Sequence, residues 1–306
     1  MISLIDSKLL SLESAAEIKN NLYFRGQILD QRGHDLVGTL DKDNSCIEVI
    51  FDVNTYIFTI NKVQVGIRDL ARHLSELINE YNFSNILLEA TTLGFVEILV
   101  LLKWFSKSEF DNLQIVYAEP RQYSLRTNYM NDFGKHEFDL STHSGGFKAI
   151  PGFAKALTQT KKAILIASMG FERSRLGQLL SLDDGAYIQS VIPIYGTPGF
   201  KAGWDKHSFF QNVETLKDKG QKPRFVSANS PIDMLAMLNY IATSYTDEEI
   251  TLAPLGTKPL SIASAIFLIN NPNITLKYDH PQKKGKRSDG IGEVHLYTIT
   301  RALLKT

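Results

Sequence analysis

Cys46 is the only cysteine in the 306 residues, so the chain forms no internal disulfide and no cysteine-rich zinc site. Within Ser-Cys-Ile-Glu-Val-Ile-Phe it reads as a core residue of a strand rather than as a nucleophile. An excess of either charge is also missing. The 33 basic and 33 acidic residues cancel, which removes any global field toward nucleic acid or an anionic membrane and leaves room only for a local basic patch. Long hydrophobic runs are absent too. The longest helical apolar stretch, Phe95 to Phe105, contains Glu97 and Lys103 and is about half the length a bilayer requires. Met1-Ile-Ser-Leu-Ile-Asp-Ser-Lys has neither the basic start nor the small-residue cleavage site of a secretory signal. The expectation is a cytoplasmic protein with no membrane partner.

Several chemical signatures are lacking as well. The seven histidines show no i, i+4 pair, so no metal site is expected. No strand is followed by Gly-x-Gly-x-x-Gly, no glycine-rich run precedes a Gly-Lys-Ser/Thr, and no Gly-x-Ser-x-Gly elbow occurs. Dinucleotide dehydrogenase, Walker-type hydrolase and esterase readings therefore have no motif behind them. No cofactor is identified.

What is present is the pattern of an α/β protein. With 43% hydrophobic and 22% charged residues, the composition is that of a soluble globular chain, long enough for two domains. The first 60 residues read as β-hairpins, notably Cys46 to Phe51, Tyr56 to Ile60 and Val63 to Val65. Ile67 to Tyr81 has helical spacing, and Ile86–Leu88, Phe95–Phe105 and Leu113–Tyr117 follow as strand, helix, strand. Beyond an irregular stretch, strands are expected over 163–167, 187–194, 225–228, 250–253 and 274–278, with helices over 231–244 and 260–269. This predicts doubly wound, mostly parallel Rossmann-like sheets divided near residue 155 into halves 1–155 and 156–306. Leu93-Gly94 before Tyr117-Ala-Glu-Pro120 echoes Leu255-Gly256 before Tyr278-Asp-His-Pro281, which is either a pseudo-repeat of the two halves or coincidence.

In open parallel sheets ligands sit beyond the carboxyl ends of the strands, which selects the candidate residues. In the second half these are Gly170, Phe171, Glu172, Arg173 and Arg175; Gly196 and Thr197; Asn229; and Gly256, Thr257 and Lys258. Glycines permit close approach, Thr257 caps a helix or donates to an anion, and Lys258 adds a point charge at a helix N-terminus. Arg173 and Arg175 are placed to clamp a phosphate, with Glu172 orienting them. Trp204, Asp205, His207 and Asn212 form either a base-stacking lid or a satellite hydrophobic cluster. In the first half the positions are Glu89, Thr91, Thr92 and Glu119. Glu89 and Glu119 follow adjacent strands as a paired-carboxylate candidate for acid–base work or a divalent ion, and with Glu172 they are the only catalytic candidates. Lys283 to Gly290 is a basic loop, either solvated, laid over an anionic ligand or touching a nucleic-acid backbone.

The first strand of the second half followed by Gly170-Phe171, and the fourth followed by Gly256-Thr257-Lys258 with its helix and strand, resemble the CRISPR-associated Rossmann fold (CARF) and its SAVED-like relatives. The resemblance spans about 120 residues. It implies that the two loops cradle a cyclic or linear oligonucleotide, across a dimer or pseudo-dimer, in antiviral defence. Such sensors carry a nuclease, protease or DNA-binding output. With no nuclease cluster or helix-turn-helix pattern here, a separate protein partner is expected to supply it. The leading expectation is thus a sensor of a nucleotide-type ligand, possessing a homodimer as its natural assembly. The rivals are an enzyme acting on a nucleotide or sugar phosphate and a non-catalytic interaction subunit of a larger complex.

Overall fold

Short apolar runs bounded by polar turns become fully buried strands: every residue of Ile86–Glu89 and of Ala163–Ser168 is buried, as parallel strands covered on both faces require. The computed structural model describes residues 1–19, 21–81, 85–130, 136–153, 163–182 and 187–301. The elements are, in order, β1 (Ile2–Leu10), α1 (Leu12–Ala15), β2 (Leu22–Arg25), α2 (Gln31–Leu40), β3 (Ser45–Asp52), β4 (Ile57–Ile60), β5 (Val63–Gly66), α3 (Leu70–Tyr81), β6 (Ile86–Glu89), α4 (Phe95–Phe105) and β7 (Asn112–Tyr123). They continue with β8 (Leu125–Met130), β9 (His136–Phe138), β10 (Ser141–Ser144), β11 (Ala163–Ser168), α5 (Arg173–Leu180), β12 (Ile188–Gly196), α6 (Trp204–Asn212), β13 (Arg224–Val226), α7 (Pro231–Ser244), β14 (Glu249–Pro254), α8 (Lys258–Asn270), β15 (Thr275–Leu276), β16 (Pro281–Lys283) and β17 (Ser288–Arg301).

The chain parts into two units, Met1–Tyr123 with Gly285–Thr306, and Ser124–Lys284. The second unit is therefore inserted, in sequence, between β7 and β17. Residue 155, where the sequence suggests a division, lies outside the described residues; the contacts divide the chain at 123/124 and 284/285 instead. A reading that follows sequence order cannot anticipate that a last strand belongs with the first unit.

The first unit holds an eight-stranded mixed sheet in the order β1-β17-β7-β6-β2-β3-β4-β5. Its centre, β7-β6-β2-β3, is parallel. The expected hairpins exist as β3-β4-β5, but the first 60 residues are not hairpins throughout, because β2 and β3 are parallel neighbours joined through α2. Asp30 caps α2 by accepting the Gly33 N–H at 3.0 Å. Tyr23, Leu36, Leu40, Leu87, Val116, Ala118 and Val294 make one core under it.

The second unit holds a five-stranded sheet in the order β13-β12-β11-β14-β15, parallel at every pairing. From β11 the chain crosses through α5 to β12 on one side; from β14 it crosses through α8 to β15 on the other. The strand order thus reverses between β11 and β14, the place at which open parallel sheets form their binding crevice. The two echoing segments are β6-α4-β7 and β14-α8-β15, each a parallel pair joined by a helix.

The basic loop is anchored rather than solvated. In the second unit β16 pairs with β10 and the Lys284 ammonium meets Asp139. In the first unit the Lys286 N–H donates to Leu29 O at 2.9 Å and Arg287 Nε lies 3.6 Å from Asp30. No helix among the described residues is long and apolar enough to cross a membrane.

Candidate functional site

Four loops leave the carboxyl ends of the second unit's strands, and a chain of hydrogen bonds ties them together. After β12, the Thr197 N–H donates to Val226 O at 2.7 Å and Pro198 O accepts the Ala228 N–H at 3.0 Å. The Ala228 carbonyl in turn accepts the Thr257 hydroxyl at 2.6 Å. Next along, the Gly256 N–H donates to Ser168 Oγ at 3.1 Å, at the end of β11. The Gly170 carbonyl is held by Ser208 Oγ at 2.9 Å and Asn212 Nδ2 at 3.0 Å, both from α6. Gly170, Gly196, Thr197, Gly256, Thr257 and Lys258 are thereby brought to one end of one sheet.

The glycines sit where backbones touch. A Cβ on Gly170 would stand 2.2 Å from Leu255 O, inside any tolerable contact, and one on Gly256 would meet Ser168 Cβ and Oγ at 3.2 Å. Gly196 packs on Ala228, where an added Cβ would find the alanine Cβ at 3.0 Å. The loops after β11 and β14 thus lie against each other with no side chain between them.

Two helices begin at this crevice, and neither has a side-chain cap. Glu172 at the start of α5 and Thr257 at the start of α8 make no capping hydrogen bond, whereas Ser230 caps α7 by accepting the Asp233 N–H. The Thr257 hydroxyl is turned to Ala228 instead. The positive ends of both helix dipoles therefore face the loops without a capping hydrogen bond from the first side chain, with the Glu172 carboxylate at the start of α5 turned to Ser141. Arg173, in the first turn of α5, is exposed, and Lys258 is half-buried at the first position of α8.

Other candidates are committed elsewhere. Arg175 does not clamp a ligand: Nε and Nη2 donate to the two oxygens of Asp279, each at 2.7 Å, and Nη1 donates to Leu255 O at 3.1 Å. Burial works against this guanidinium's charge, but the buried Asp279 carboxylate outweighs it and holds the proton above the ordinary arginine range. Arg175 is a brace that fixes the loop carrying Leu255. Glu172 accepts the Ser141 hydroxyl at 3.1 Å and lies 3.9 Å from Arg175. Asn229 Oδ1 accepts the Ser227 hydroxyl at 2.7 Å. Phe171, Trp204 and His207 gather around Phe138, at centroid distances of 4.8, 5.3 and 5.1 Å. This is the satellite aromatic cluster, and Trp204, 9% exposed, is not displayed as a stacking lid.

In the first unit Glu89 is fully buried and accepts the Thr91 and Thr92 N–H groups at 2.7 and 3.0 Å, together with the Thr92 hydroxyl. Thr92 Oγ1 also accepts the Gly26 N–H, and Thr91 Oγ1 accepts the Ala118 N–H. These three residues cross-link the strand-end loops of that sheet and offer nothing outward. Nor do Glu89 and Glu119 form a carboxylate pair. Glu89 stands in register with Val116, and Glu119, three residues further along β7, projects from the opposite face. Its partner is His295, whose Nε2 lies 2.7 Å away.

Ser168, Ser208, Ala228 and Asp279 hold the crevice together and carry no sequence signature for that role. Ser168 alone left a trace, as a polar residue closing an otherwise apolar strand. No protein-family model and no curated protein matches the chain.

Proposed function

We propose that the second unit is a Rossmann-like binding domain for a phosphate-bearing ligand of the nucleotide or oligonucleotide type, held at the ends of β11 and β14, where the strand order reverses. One observation carries this reading. The two loops at the reversal of strand order meet backbone to backbone through Gly170 and Gly256, and each opens a helix without a side-chain cap. Backbone N–H groups, two helix dipoles, Arg173 and Lys258 then supply positive potential to one anionic group. Neutral overall charge agrees with recognition of a small anion by a local site rather than with tracking along a polynucleotide.

Binding without turnover is the better-supported form of this reading. Glu172, at the start of α5, is engaged by Ser141 and adjoins Arg175, and Glu89 is closed inside its own unit. The protein then acts as a sensor, in the antiviral setting that the CARF-like loops suggest, and hands its occupancy to a protein partner or a second copy of itself. Such a signal needs unequal affinity for two arrangements of the protein, since equal affinity shifts nothing.

Purified protein incubated with mono-, di- and cyclic oligonucleotides is expected to gain thermal stability saturably with one of them and to release no product. Lys258→Ala is expected to reduce that affinity at least about tenfold, or about 1.4 kcal/mol. A Lys258→Ala protein that binds as the wild type does would place the ligand elsewhere. Product formation would replace sensing with catalysis.

A further inference from the structure

The first unit carries a cluster that the crevice does not use. Between β7 and β17 the antiparallel register slips: Ala118 pairs with Val294 and Pro120 with Ile291, so that Gly292 and Glu293 together oppose Glu119. A bulge of this kind re-aims the side chains of the longer strand. Here it brings Glu293 round toward Glu119 and His295, and the ligating atoms of the three all lie within 4.8 Å of one another. Gly292 makes the approach possible, because a Cβ there would stand 3.3 Å from Glu119 Cβ.

We propose that Glu119, Glu293 and His295 bind a divalent first-row transition ion of the zinc or manganese class. The donor set is two carboxylates and one imidazole nitrogen, which suits such ions better than calcium or magnesium, whose preferred ligands are oxygen alone. Glu119 and His295 are preorganised: both side chains are 6% exposed, with Nε2 and Oε1 2.7 Å apart. The imidazole ring is held parallel to Tyr297, at 3° between planes and 5.9 Å between centroids. Glu293 is exposed and gives the ion an entry from solvent.

Electrostatics points the same way. Two carboxylates this close repel each other, and a divalent ion held between them offsets that repulsion. Three protein ligands leave coordination positions open to water or to an anionic group. This site lies wholly in the first unit and is independent of the reading given for the second.

The protein, freed of metal by chelation, should be titrated with Zn2+, Mn2+, Ca2+ and Mg2+ by calorimetry. Zn2+ or Mn2+ is expected to bind saturably at one equivalent. Glu293→Gln and His295→Gln should each weaken binding by more than the about 10–100-fold that loss of a mere outer-sphere partner costs. Glu76→Gln, at an exposed position on α3, should leave binding unchanged. If His295→Gln does not fold, Glu293→Gln at its exposed position still decides. Absence of saturable binding, a preference for Ca2+ or Mg2+, or a Glu293→Gln protein that binds as the wild type does would each overturn the site.

Discussion

Asp279→Ala is expected to lower the stability of the second unit by about 3–5 kcal/mol, the cost of leaving a buried guanidinium without its counter-charge. Asp279 is fully buried, the Arg175 side chain is 13% exposed, and the pair is bidentate with both contacts at 2.7 Å. Little solvent screening is therefore available to soften the loss. Denaturant unfolding followed by a probe in the second unit measures it. The double replacement Arg175→Met with Asp279→Ala is expected to recover part of the loss, because it removes the stranded charge along with its partner. If the single substitution shifts the midpoint by less than the equivalent of about 1 kcal/mol, the pair behaves as an ordinary exposed ion pair and the brace is not one.

Gly170→Ala is the second large effect. The new methyl would sit 2.2 Å from a backbone carbonyl, that of Leu255, so no side-chain rotation can relieve the clash and the two loops must part. Overpacking of this kind costs about 1–3 kcal/mol, and here it also opens the contact on which the proposed ligand site rests. Ligand-induced stabilisation should vanish in this variant even at temperatures where it is still folded. Gly177→Ala, seven residues on within α5, is the matching control: nothing lies within 4 Å of its added Cβ. It should stabilise by about 0.5–1 kcal/mol, since alanine is the better helix former. Equal behaviour of the two variants in a thermal melt would contradict the close approach of the loops.

How far the sequence foretold these features depends on how local their causes are. The helix expected over 231–244 is α7, Pro231–Ser244, because a Ser-Pro start and an apolar repeat leave little freedom in placing it. The same holds for α4, where a dense apolar run follows Gly94. The loops after β11 and β14 were legible for a similar reason, since strands rich in isoleucine, leucine and alanine ended in glycines. By contrast α2, Gln-Arg-Gly-His-Asp-Leu-Val-Gly-Thr-Leu, has two glycines and few apolar residues, and its place in a parallel crossover was hidden.

Long-range partnerships were the least accessible. Arg175 and Asp279 are 104 residues apart, and the arginine by itself reads as a phosphate ligand. Glu119 and His295 are 176 apart, and no spacing of histidines along the chain brings the two together. A bulge in a strand pairing across that distance leaves no periodicity to detect. The basic loop, read from the sequence as solvated or laid over an anion, is held instead by Asp30 and Asp139, acidic residues far away in sequence.

The position of β17 has a consequence for biosynthesis. Among the described residues β1 pairs only with β17, and β7 depends on β17 along one whole side. On the ribosome β1 and β7 emerge before β17, with the entire inserted unit translated in between. Two sheet edges of the nascent chain thus stay open while that unit is made, when stray pairing with other chains is most dangerous. The inserted unit has all five of its parallel strands by then and is free to fold while its host waits.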